Sequence, residues 1–145
     1  MTKPTTKKFG DYIIKVGTSQ SPDTLGSPCG LTSKGFSQTA NAQETQVPDC
    51  TNPDAPAYIE RGIDTLSGEI SGSGIMAVEA FTTWQSWFDA ATSRICRIYP
   101  MGATGGYYEG LFVLTKFNTS VQLGQKVQVD LTMESDGQFV WNVGP

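Results

Sequence analysis

Histidine is absent from all 145 residues. Its absence removes the commonest general base, and with it the Ser–His and Cys–His pairs that activate most nucleophiles. Cysteine is scarce too: Cys29, Cys50 and Cys96 form an odd set, 21 and 46 residues apart, with no CxxC or CxxH spacing. With no imidazole to complete them they suggest no zinc ligand set, so neither a metal nor a cofactor is expected. Small thiols in a reducing compartment are the simpler reading, with a Cys29–Cys50 bridge as the alternative. No run of eighteen or more apolar residues occurs, which excludes a membrane-spanning helix. The basic start MTKPTTKKFGDY has no apolar segment behind it, so no secretory signal is expected.

Charge is also in short supply, at 17% of residues, against roughly 25% in typical globular chains. Glycine, serine and threonine fill the gap, which favours strands joined by turns. The net charge of −4 is unevenly spread. Lys3, Lys7, Lys8 and Lys15 lie within the first fifteen residues, whereas from Val16 onward thirteen acids face six bases, a balance of −7. Gripping a duplex needs clustered Lys and Arg, so an acidic body repels nucleic acid.

The length fits a single domain with one core. Residues 1–10 read as an extended polar arm, followed by a short strand over Asp11–Val16 and a half-exposed strand over Gly30–Thr39. Residues 19–29 are turn-rich. From about 40 to 62 the chain (ANAQETQVPDCTNPDAPAYIERG) shows no clear period and contains Pro48, Pro53 and Pro56. A structureless loop of that length in a small domain is disordered, functional, or completed by an assembly. Ile63–Ser71 is a strand with Leu66 and Ile70 on one face, and Gly68, with Gly72 and Gly74 just beyond it, suggests bends or close backbone contact. Met76–Thr92 is the one convincing helix, started by Ser73 and ended at Ser93–Arg94, with Phe81, Trp84, Trp87 and Phe88 on its apolar stripe. Burial of Phe81, Trp84 and Phe88 would contribute ~1.5–3 kcal/mol each. Strands follow at Arg94–Tyr99, Tyr107–Phe117 and Gln125–Met133, the last with Val127, Val129, Leu131 and Met133 facing inward. Ser135-Asp136-Gly137 then reads as a hairpin turn into a final strand over Gln138–Asn142. Strands, one helix and strands again describe a mainly β fold, an antiparallel sandwich or barrel flanked by one α-helix.

No enzyme emerges from these residues. SGEISGSG lacks the Lys-Ser/Thr of a phosphate loop. Asp130 and Glu134 share one strand face, roughly 13 Å apart at about 3.3 Å per residue, beyond the reach of paired glycosidase carboxylates. Trp84 and Trp87 belong to a core stripe more naturally than to a sugar platform. Tyr107 and Tyr108, beside Gly105 and Gly106, fit either an exposed contact or strand-end packing.

In order, the basic arm before GDYIIKVGT, the segment Cys29–Ser33, the loop ending Tyr58-Ile59-Glu60-Arg61-Gly62, the strand TLSGEISGSG, the helix and the strand YYEGLFVLTKF are similar to the tail tube protein of long non-contractile-tailed bacteriophages and gene transfer agents. The resemblance covers most of the chain. It implies a structural virion protein, assembled in the host cytoplasm, whose hexameric rings stack into the hollow tail tube through which phage DNA passes. DNA would transit the lumen without specific binding. Tape measure, tail terminator and tip proteins would be partners, and no membrane would be involved. The arm (residues 1–10) and an inter-ring loop (about 40–62) would carry subunit contacts through Lys7, Lys8, Phe9, Val47, Tyr58, Ile59 and Arg61. Glu69, Asp130 and Glu134 would face the lumen. The alternatives are a type VI secretion-like tube protein, a tail terminator, or a carbohydrate-binding β-sandwich using Tyr107, Tyr108 and Trp84.

Overall fold

Alternating apolar and polar residues build most of this molecule into one seven-stranded sheet. In the computed structural model, residues 3–17, 25–26 and 30–143 are described; residues 19–24 and 27–29 of the turn-rich segment, Cys29 included, lie outside them. After a 3-10 turn at Phe9–Asp11, the elements run β1 (Ile13–Gly17), β2 (Leu25–Gly26), β3 (Leu31–Val47), β4 (Tyr58–Ile75), α1 (Val78–Ala90), β5 (Arg94–Tyr99), β6 (Tyr107–Ser120) and β7 (Gln128–Asn142). The strand order is β2-β1-β5-β6-β7-β4-β3, and each pairing with a described register is antiparallel. This mainly β, one-helix architecture is the fold class read from the sequence.

The chain divides into two compact units, residues 1–37 with 68–145, and residues 38–67. The first unit holds the core. On one sheet face Ile70, Met133 and Leu114 lie side by side across β4, β7 and β6, with Leu131 and Val129 following along β7. Ala80, Trp84 and Trp87 of α1 pack into the same buried cluster, as do Cys96, Ile98 and Phe112. Trp84 and Trp87 stack with centroids 6.0 Å apart, and the Trp87 indole N–H donates to the Thr92 carbonyl at 2.7 Å. That bond satisfies the buried indole N–H with a carbonyl just past the helix end, beyond Ala91 at φ 54°. At the other end of the sheet, Phe36 sits 5.1 Å from Tyr108 and 5.6 Å from Phe139, in tilted and edge-on aromatic contacts.

Several elements differ from the sequence expectation. The stretch 40–62 is paired strand over most of its length: β3 runs on to Val47 and β4 begins at Tyr58, leaving residues 48–57 as the connection. Ladder bonds need only backbone groups, so a hairpin that is polar on both faces forms without the period-2 signal that reveals a half-buried strand. Its three prolines all fall in the connection. Ser135–Gly137 is not a hairpin turn either. β7 pairs with β6 on both sides of it, through Phe112↔Ser135 and Gly110↔Phe139, so the extra residues bulge, with Gly137 at φ 93°.

The helix starts after Ala77, and Ser73 lies within β4. Phe81 and Phe88 are 42% and 46% exposed, so the buried stripe is narrower than the apolar pattern. Val127 precedes β7 and is 43% exposed.

Candidate functional site

The sheet face opposite the core is built from polar side chains. Directly paired residues point to the same side of a sheet. Glu69, Ser71 and Ser73 of β4 therefore share a face with Glu134, Thr132 and Asp130 of β7. Lys116 and Asn118 of β6 continue it, opposite Thr132 and Asp130. Glu69, Asp130 and Glu134, the three candidate lumen residues, are thus brought onto one exposed surface. Lys116 Nζ lies 3.2 Å from the Asp130 carboxylate, and neither Glu69 nor Glu134 belongs to an ion pair among the described residues. The face is net acidic.

β4 is pinned to its neighbours by its glycines. A methyl on Gly74 would lie 2.3 Å from the Gly30 carbonyl oxygen, and one on Gly68 would lie 2.8 Å from the Phe36 ring. The close approach read from SGEISGSG is therefore the condition for β3 to lie against β4 here, where the Ile75 N–H donates to the Gly30 carbonyl at 2.9 Å.

The candidate contact residues fall in two places. In the first unit, Lys7 and Lys8 are exposed and Phe9 is 54% exposed; Lys34 Nζ sits 4.4 Å from the Phe9 ring centroid and donates to the Tyr12 carbonyl at 2.7 Å. In the second unit, Val47, Tyr58 and Ile59 flank the 48–57 connection, all exposed, with Tyr58 at 79%. Arg61 pairs with Glu44 at 3.0 Å across the hairpin, and Asn41 donates to the Thr65 hydroxyl at 2.8 Å. At the connection, the Asp49 carboxylate accepts from the Thr51 backbone N–H and hydroxyl, both at 2.8 Å, and from the Asn52 N–H. The Thr51 N–H, then the hydroxyl, hold that carboxyl below its ordinary range. Ile63 and Leu66 are also exposed; Leu66, which the alternation of Ile63–Ser71 places on one face with Ile70, is 71% exposed while Ile70 is buried.

Among the described residues no group of three or more potential metal ligands converges. Burial pushes the Cys96 thiol up to about 12, which keeps it protonated and inert. Trp84 is 2% exposed, which removes it from any sugar-stacking platform with Tyr107 and Tyr108. Tyr107 instead packs on Tyr99 at 5.1 Å and Tyr108 on Trp141 at 4.8 Å.

Comparison with known proteins gives a consistent result. A family model described as "Phage tail tube protein" matches residues 6–141. No curated protein sequence matches. Among solved structures, the fold is similar to a chain from the virion of a native gene transfer agent particle, with TM-score 0.76, 15% identity, and coverage of 95% of this chain and 100% of that one. A chain from the tail of an empty gene transfer agent particle, refined with C6 symmetry, gives TM-score 0.74 at 17% identity, with the same coverage. The SPP1 tail tube gives TM-score 0.64 at 9% identity, covering 94% of this chain and 78% of that chain.

Proposed function

Since the chain belongs to the phage tail tube protein family and takes its place in the virion tail, we propose that it forms hexameric rings that stack into a hollow conduit for DNA. The polar sheet face carries this reading. Glu69, Glu134 and the paired Asp130 present a net negative surface that suits a lumen wall. A duplex passing such a wall meets no cluster of cations able to release the counterions condensed on its phosphates, so it slides without sticking. The sixfold arrangement is supported by the C6 symmetry of a similar gene transfer agent tail.

Ring formation also answers a problem posed by the sheet. β2 and β3 are its edges, and β3 is 17 residues long. A long free edge invites uncontrolled pairing unless another strand covers it. Closing a ring with neighbouring sheets uses those edges, whereas stacking of rings is a heterologous contact that propagates as a filament. The hairpin of residues 38–67 would serve as the element between rings, and the arm as a second subunit contact. Tape measure and terminator proteins would set the length of the tube, and the chain itself would catalyse nothing.

Removal of residues 44–57 tests the reading. The truncated protein is expected to melt cooperatively near the wild-type temperature, because none of the deleted residues belongs to the buried core. In sedimentation, wild-type protein forms large polymers while the truncated protein stays small. Polymerisation of both alike would remove the hairpin from the account.

A further inference from the structure

The second unit is a surface without a cover. Every residue from 38 to 67 is exposed except the half-buried Ala55. A two-stranded hairpin is marginal in water by itself, and this one leaves Tyr58, Ile59, Ile63 and Leu66 at 48–79% exposure. It is also strongly charged: Glu44, Asp49, Asp54, Glu60 and Asp64 against Arg61 alone give −4. The N-terminal segment has the opposite character. Lys3, Lys7, Lys8 and Lys15 against Asp11 give +3 over residues 3–15. Lys7 and Lys8 stand beside the exposed Phe9, and Lys3, Lys7 and Lys8 take part in none of the ion pairs among the described residues.

We propose that the hairpin of one copy is the docking site for the N-terminal segment of a second copy. Phe9 packs against the exposed Val47 and Tyr58 beside the 48–57 connection, while Lys7 and Lys8 meet Asp49 and Glu60, the latter on the same strand face as Tyr58. Charge complementarity selects this occupant, because the chain itself carries a basic segment with an exposed aromatic that matches an acidic hairpin with exposed apolar residues. Hydrogen bonds from Thr51 and Asn52 hold the Asp49 carboxylate in a fixed position at the connection. Each exposed pair is weak alone, but repetition at every copy along a tube makes the sum decisive. The inference rests on the tube reading and deepens it by naming which surfaces join.

Its test uses tubes grown from equal parts of isotope-labelled and unlabelled protein, treated with a zero-length carbodiimide cross-linker and digested. Mixed-isotope links from Lys7 or Lys8 to Asp49 or Glu60 are expected. Links confined to one copy, or hairpin acids joined only to other lysines, overturn the proposal. Charge reversal gives an independent arm. K7E/K8E and D49K/E60K are each expected to lower the assembled fraction about tenfold at low salt, and the combined variant to recover most of it. Wild-type tubes with no such loss or no rescue refute the docking while leaving the tube intact; absence of wild-type tubes refutes both.

Discussion

Glu69 and Glu134 face one another directly across β4 and β7, two acids at one register position on an exposed sheet face. Like charges placed this way cost stability. Glu69→Lys is therefore expected to raise the melting temperature, in line with a gain of about 0.2–1 kcal/mol for the new cross-strand pair. Lysine at both positions changes the conduit instead: tubes of the double variant should retain duplex DNA at low salt and release it as salt rises. Equal DNA retention by wild-type and double-variant tubes would take these residues off the lumen.

Trp84 anchors the helix. It is 2% exposed, stacked on Trp87, and set against the sheet. Trp84→Ala should cost about 3–5 kcal/mol in denaturant unfolding. Phe88→Ala, at a site 46% exposed, should cost far less. Equal losses would contradict the packing of α1 described above.

The glycines of β4 differ in what they permit. At Gly74 an added methyl meets backbone at 2.3 Å, whereas at Gly62 it meets nothing within 4 Å. Gly74→Ala is expected to destabilise by about 1–3 kcal/mol, because β3 must move away. Gly62→Ala should stay within about 0.5 kcal/mol of wild type.

Cys96 supplies a pH test. Its folded thiol titrates at about 12, above the ordinary 9.0. With the folded value raised, its contribution to stability is complete below pH 9.0 and is lost as pH climbs toward 12. Cys96→Ala should accordingly flatten the alkaline fall in stability measured between those limits. At neutral pH, native protein should be alkylated at the exposed Cys50, with Cys96 reacting only on unfolding.

The parts legible in the sequence were those with a buried face. β5 begins and ends where RICRIY does, and Val129, Leu131 and Met133 alternate inward as their period requires. Gly68, Gly72 and Gly74 of β4 signalled bends or close backbone contact, and the structure shows close contact at Gly68 and Gly74. What escaped was structure held by backbone alone. The polar halves of β3 and β4 bury no side chains, so their pairing left no mark on the composition. The bulge at Asp136–Gly137 uses the same residues as a tight turn, and only the continued pairing with β6 tells them apart. Phe81 and Phe88 lie on the apolar stripe yet remain partly exposed, since a helix resting on one sheet buries a narrower arc than its sequence supplies. The candidate residues were identified through resemblance to a family.

Electron microscopy of the concentrated, purified protein tests the central claim most directly. The account predicts hollow tubes with sixfold end-on symmetry, whose three-dimensional reconstruction places Glu69, Asp130 and Glu134 on the inner wall. A protein that stays monomeric at high concentration, or tubes whose inner wall is formed by the opposite face of the sheet, would contradict it.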